Sequence, residues 1–193
     1  YELQRYEDAV AAYERGLATD PEHAGLWTDR ANALREFGRF DEALASYDRA
    51  LALEPGHGAA LYGCGTLLLF LGRAREGWPG FEHRRITAAW RPRGAGTPEW
   101  DGAPLEGRTL LLHGEQGLGD TLQFVRFAGV LADRGEKVIV EVPQSLRALV
   151  ATRPGLDVLA SAEPPPPHDV HASLMSLPFL LGTGDDLGNA RVP

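Results

Sequence analysis

The residues best suited to chemistry lie in one stretch, Gly114-Glu115-Gln116-Gly117-Leu118-Gly119-Asp120-Thr121. Three glycines leave the backbone bare, so its amides can approach an anion or a sugar hydroxyl. Two carboxylates stand among them. Asp120 has two readings. It caps the following helix by accepting backbone N–H bonds, or it is a general base that takes a proton from an acceptor hydroxyl. Glu115 is a second acid or base at the loop tip, or an exposed loop charge. Gly114, Gln116, Gly117, Gly119 and Thr121 form the candidate loop for an acceptor or a phosphate.

Such a loop needs a strand before it and a helix after it. Thr109–His113 is an apolar run that reads as a buried strand, with His113 as a hydrogen-bonded turn residue at its end. Residues 121–134 place Phe124, Phe127, Ala128 and Leu131 on one helical face, with Asp120 in the N-cap place and Gly135 just past the end. Strand signals follow at 138–142, 157–160 and 170–174, with a short helix at 145–152 stopped by Pro154-Gly155. Met175-Ser176-Leu177-Pro178 starts another helix. Strands alternating with helices imply a parallel, Rossmann-like sheet. Ligands of such sheets bind at the C-terminal ends of the strands, where His113, Glu115, Asp120, Glu141, Asp169 and His171 are expected to gather.

Other chemistries fit the loop less well. Glu141 lies about 20 residues after the turn, where a dinucleotide fold holds ribose hydroxyls, but that fold needs Gly-x-Gly-x-x-Gly. Here the order is Gly114-x-x-Gly117-x-Gly119. A Walker loop needs Gly-Lys-Ser/Thr, and the only lysine is Lys137. His168 and His171 flank Asp169, but no cysteine lies near to complete a zinc site. No metal or cofactor is expected.

The first half has a different organisation. Pro21 and Pro55 lie 34 residues apart, as do Ala9 and Ala43, Tyr13 and Tyr47, and Tyr6 and Phe40. This is the tetratricopeptide period: paired antiparallel helices that cross closely at the small residues and end at proline. Residues 58–87 form a divergent third repeat, in which Gly77 and Arg84 stand where alanines are expected. Such a repeat suits the end of an array. Thr28, Asp29, Asn32, Arg35, Glu36, Tyr62, Thr66, Leu69 and Phe70 are expected to face the groove. Asn32, Arg35, Tyr62, Thr66 and Phe70 are the candidate contacts for a protein or peptide partner. The same faces could instead pack on the next domain. The expected division is repeats over 1–87, a Gly- and Pro-rich linker over 88–104 anchored by Trp90 and Trp100, and the α/β domain over 105–193.

Composition narrows the classes. The net charge is −8, which argues against a general nucleic-acid binder, and the charge is uneven: residues 1–57 carry 12 acids against 6 arginines. Arg73, Arg75, Arg84, Arg85, Arg91 and Arg93 make a local basic patch, read as a solvated helix face and linker or as a phosphate-facing surface. Cys64 is the only cysteine, so no disulfide framework exists and a cytoplasmic setting is expected. It reads as a small core residue. No apolar run is long enough for a membrane span. The chain opens at Tyr1 in mid-pattern and reads as a piece of a longer protein.

Gly77-Trp78, Phe81-Glu82, Arg84, Trp100-Asp101-Gly102, Leu105-Glu106-Gly107-Arg108, the stretch from Gly114 to Phe124, Asp169, His171 and Ser176-Leu177-Pro178 together resemble a family of bacterial tetratricopeptide proteins with a glycosyltransferase-like domain. The α/β part is similar, more distantly, to the N-terminal half of heptosyltransferases of the GT-B fold. The resemblance implies that Gly119 and Asp120 match that family's Gly-Asp pair, with Asp120 as the acceptor-side base. It implies inverting transfer from a nucleotide-sugar donor, which is a substrate rather than a cofactor, without metal. Glu115-Gln116 departs from the heptosyltransferase pattern. The donor-binding second Rossmann domain lies outside these residues, so the fragment alone is expected to be inactive. The rival expectation is a non-catalytic interaction scaffold with a degenerate α/β half.

Overall fold

The computed structural model describes residues 2–86, 96–115 and 117–183, with side chains from residue 5 onward. The chain forms two compact units, Tyr1–Thr87 and Ala88–Pro193.

In the first unit, α1 (Glu2–Thr19), α2 (Ala24–Glu36), α3 (Phe40–Leu53), α4 (Gly58–Phe70) and α5 (Ala74–Phe81) follow one another. The 34-residue period recurs in the devices that end and start these helices. Gly38 and Gly72 adopt φ of 81° and 78°, a left-handed conformation that glycine enters without a Cβ clash. The next residue then closes the helix end, with Arg39 N donating to Leu34 O and Arg73 N to Leu68 O, each at 2.9 Å. Arg39 and Arg73 each form an ion pair with the glutamate three residues on, Glu42 and Glu76. His23 and His57 cap α2 and α4 through Nδ1, which accepts the amides of Leu26 and Ala60.

Alanines let these helices approach, and Leu34, Tyr47 and Leu67 fill the space between them, all fully buried. Tyr47 Oη donates to Asn32 Oδ1 at 2.6 Å, which satisfies the one polar atom of that ring. Cys64 is half-buried beside this core, and burial pushes its thiol up to about 11.

The third repeat differs, as its sequence predicts. Gly65, Gly77 and Gly80 bring α4 and α5 together backbone to backbone: a Cβ on Gly65 would sit 2.6 Å from the Gly80 carbonyl carbon. After only eight residues α5 gives way to a 3-10 turn, Glu82–Ile86. There Arg84, 1% exposed, pairs with Glu82 at 2.6 Å and lies over the Phe81 ring. The described arginines of the basic patch are largely paired: Arg73 with Glu76, and Arg84 and Arg85 with Glu82. Arg91, Arg93 and Trp90 lie outside the described residues.

The second unit holds β1 (Thr109–His113), α6 (Leu118–Asp133), β2 (Lys137–Val142), α7 (Gln144–Val150), β3 (Leu156–Ala160), β4 (Val170–Ser173) and α8 (Leu177–Leu180). All strands are parallel, in the order β3-β2-β1-β4. The expected helical repeats followed by a parallel sheet are therefore present. Strand order runs one way from β1 through β2 to β3, then jumps back to place β4 on the other side of β1. That reversal is the topological switch point of the sheet. Residues 98–100 are part of this unit: Trp100 N donates to His171 O at 2.7 Å, and the buried Trp100 ring donates Nε1 to Ala103 O.

Candidate functional site

The loop after β1 opens at the switch point, over the C-terminal ends of β1 and β4. Gly114 sits close against the start of α6. A Cβ on it would lie 3.3 Å from Thr121 Oγ1, because the first turn of α6 presses against the strand end. The helix starts three residues earlier than the sequence predicts, at Leu118, with Gly117 as its N-cap. Gly119 is thus inside the first turn, and Gly114, Glu115 and Gly117 precede the helix. The early start follows from Thr121. Its amide and its hydroxyl both donate to Gly117 O, at 3.2 and 3.3 Å, which winds the turn. Thr121 is 2% exposed, so its hydroxyl belongs to this turn.

Asp120 is consequently the third helical residue and not the N-cap. Among the described residues it makes no hydrogen bond and no ion pair. It is half-buried, and its Oδ2 lies 3.9 Å from where a Gly117 Cβ would stand. The amides of Leu118, Gly119 and Asp120 occupy the first-turn positions that have no acceptor within a helix, at the positive end of the helix dipole. Gly117 and Gly119 are exposed. The arrangement can therefore present a carboxylate and bare amides to one hydroxylated molecule. Glu115 is half-buried on the same loop, and Gln116 lies outside the described residues.

The other residues expected at this edge separate. Glu141 pairs in register with His113 at the C-terminal end of β2 and is buried. His113 is the last residue of β1, not a turn residue. It is 5% exposed, and its ring lies 5.6 Å from that of His171. By strand alternation His113, Glu141, His171 and Ser173 share one face of the sheet with Leu111 and Ile139. Ser173 caps the next turn, accepting from Met175 N at 3.1 Å. Both histidines are expected near this edge, but their direct pairing depends on β4 lying beside β1, which the sequence pattern does not specify.

Asp169 does not reach this edge. It precedes β4, and its Oδ2 accepts the Thr109 amide at 2.7 Å, at the opposite end of the sheet. His171 lies mid-strand opposite Leu111, while His168 Nδ1 lies 2.9 Å from Pro166 O. Among the described residues no three His, Cys, Asp or Glu side chains come together as metal ligands.

The repeats carry a separate groove. Arg35, Glu36, Phe40, Tyr62, Thr66, Leu67 and Phe70 line a hollow of about 390 Å³. Phe70 is 73% exposed, and its ring meets that of Phe40 at a tilt, with centroids 5.3 Å apart. Arg35, Tyr62, Thr66 and Phe70 thus face it as expected. Asn32 is tied to Tyr47, and Thr28 is buried with its hydroxyl on Ala24 O, contrary to expectation. Phe40 is a wall residue the sequence reading missed. Its place at the start of α3, opposite the end of α4, was the available signal.

Residues 1–57 and 28–76 match the family model described as tetratricopeptide repeat. Protein FlbA of Caulobacter vibrioides is 42% identical over 71 residues, which cover 35% of this chain and 11% of that protein. An O-GlcNAc transferase variant from Thermobaculum terrenum is similar over 82% of this chain and 39% of its own, with 17% identity and a TM-score of 0.36, a likeness too weak to carry an argument. The chain thus spans well under half of either relative. No described helix is long and apolar enough to cross a membrane. Residues 1–76 are tetratricopeptide repeats, and a parallel α/β unit follows them.

Proposed function

We propose that the whole protein is a glycosyltransferase that moves a sugar from a nucleotide-sugar donor to a hydroxyl-bearing acceptor, and that its repeats recruit a protein acceptor or partner. The observation that carries this reading is Asp120, a carboxylate at the switch point that its own helix does not engage. In the proposed step Asp120 takes the acceptor hydroxyl proton as that oxygen attacks the anomeric carbon. The bond to the donor breaks with inversion and the nucleoside diphosphate leaves with the electron pair. The first-turn amides of α6 orient the acceptor. A second Rossmann domain outside these residues holds the donor, and the setting is the cytoplasm.

The test uses the full-length protein and a panel of nucleotide sugars, reading nucleotide release. Asp120→Asn keeps the shape and removes the base, so turnover should fall by roughly 10²–10⁴-fold. Unchanged turnover would remove Asp120 from the reaction. A second reading, a non-catalytic scaffold, is favoured by the exposed aromatic groove. It gains if no donor is turned over while a partner still binds through Tyr62 and Phe70.

A further inference from the structure

A second cavity, of about 330 Å³, lies along the outer side of α6, between it, α7 and the turn into β3. Leu122, Val125 and Val130 of α6 line it together with Leu149 and Val150 of α7 and Leu156 of β3. α6 is thus apolar on two sides. Phe124, Phe127, Ala128 and Leu131 face the core, while Leu122 remains 43% exposed at the mouth opposite Leu149 at 56%. A helix apolar on both sides is built to be covered on both.

Three charges stand in the wall. Arg153 and Asp133 neutralise one another in an ion pair. Arg126 has no carboxylate partner among the described residues, and its guanidinium lies 4.9 Å from the Phe127 ring centroid. The cavity therefore combines an apolar interior with one net positive charge, at a volume typical of small-ligand sites.

We propose that this cavity binds a small amphipathic carboxylate, such as a medium-chain fatty acid. The chain lies between α6 and α7, and the carboxylate accepts from Arg126. Its residues are separate from the Asp120 loop, so the proposal stands apart from sugar transfer.

Octanoate is the probe, titrated into residues 1–193 and followed by amide shifts in ¹H–¹⁵N spectra. Saturable binding with shifts at Leu122, Val130 and Leu149 is expected. Octanol, which lacks the charge, should bind about tenfold more weakly, the order of one charge-assisted hydrogen bond. Arg126→Met keeps the apolar stem and should weaken octanoate about tenfold while leaving octanol unchanged. Leu149→Trp fills the cavity and should abolish binding of both, with circular dichroism confirming that each variant is folded. Three outcomes overturn the proposal: no saturation at millimolar octanoate, equal octanoate affinity in Arg126→Met, or a dimer that Leu122→Ser converts to monomer, which would make this face a contact between copies.

Discussion

Asp120 stands one turn into α6, yet its carboxylate bonds to none of that turn's amides. Thr121 winds the turn instead, through Gly117 O. A division of labour follows between neighbours. Thr121→Ala should loosen the start of α6 and cost about 1 kcal/mol, read by chemical denaturation. Asp120→Asn should leave stability nearly unchanged, within about 0.5 kcal/mol. A large loss for Asp120→Asn would show that the carboxylate supports the fold.

Tyr47 offers a pH readout at the same scale. Burial pushes its hydroxyl up to about 12, well above the ordinary range of a phenol. The folded state thus favours the protonated phenol. The associated stability is fully present below pH 10 and is lost as pH rises towards 12. Two units correspond to about 2–3 kcal/mol. The repeats should therefore melt progressively between pH 10 and 12, and Tyr47→Phe should flatten that slope. Equal slopes would locate the alkaline sensitivity elsewhere, with Cys64 as the next group to substitute.

Among the elements, α4 and α5 depend on contacts with no side chain between them. A methyl at Gly65 would meet backbone of Gly80 and Phe81 at 2.6 Å, and backbone cannot swing aside. Gly65→Ala should cost about 1–3 kcal/mol by forcing the helices apart, measured as a lower denaturation midpoint. No loss would mean the crossing is looser than these distances. In the groove, Phe70→Ser removes an exposed ring and should leave stability within about 0.5 kcal/mol. Partner capture by the full-length protein should fall with it, and indifference would deny the groove a binding role.

The elements also show what a sequence can reveal. The repeats were legible because Pro, Ala and Tyr recur at a fixed offset. His23 and His57 share that offset but escaped notice, since histidine is not a usual helix cap. The sequence pattern starts α6 three residues late because Gly117 and Gly119 read as loop, whereas Gly119 is helical. It puts Asp169 at the wrong sheet end because the prolines before it give no apolar onset for β4. Strand order was not legible at all. Pairing β4 to β1 joins residues 60 apart, such as Thr109 and Asp169, and that choice creates both the switch point and the His113–His171 pair.

For the whole molecule, charge sets one expectation. With −8 overall and an acidic repeat unit, residues 1–193 have little means of releasing counterions from a phosphate backbone. These residues are expected to show no measurable affinity for duplex DNA in filter binding near physiological salt. Retention that falls steeply with added salt would reverse that conclusion.

The first full repeat carries Ala50 where its successor carries Arg84, and Arg84 is enclosed with Glu82 against an aromatic ring. Ala50 is fully buried, so a guanidinium placed there without those partners would have to enter a space sized for a methyl group. The two equivalent positions are therefore not interchangeable, and Ala50→Arg is expected to break the packing that Arg84 sustains one repeat later.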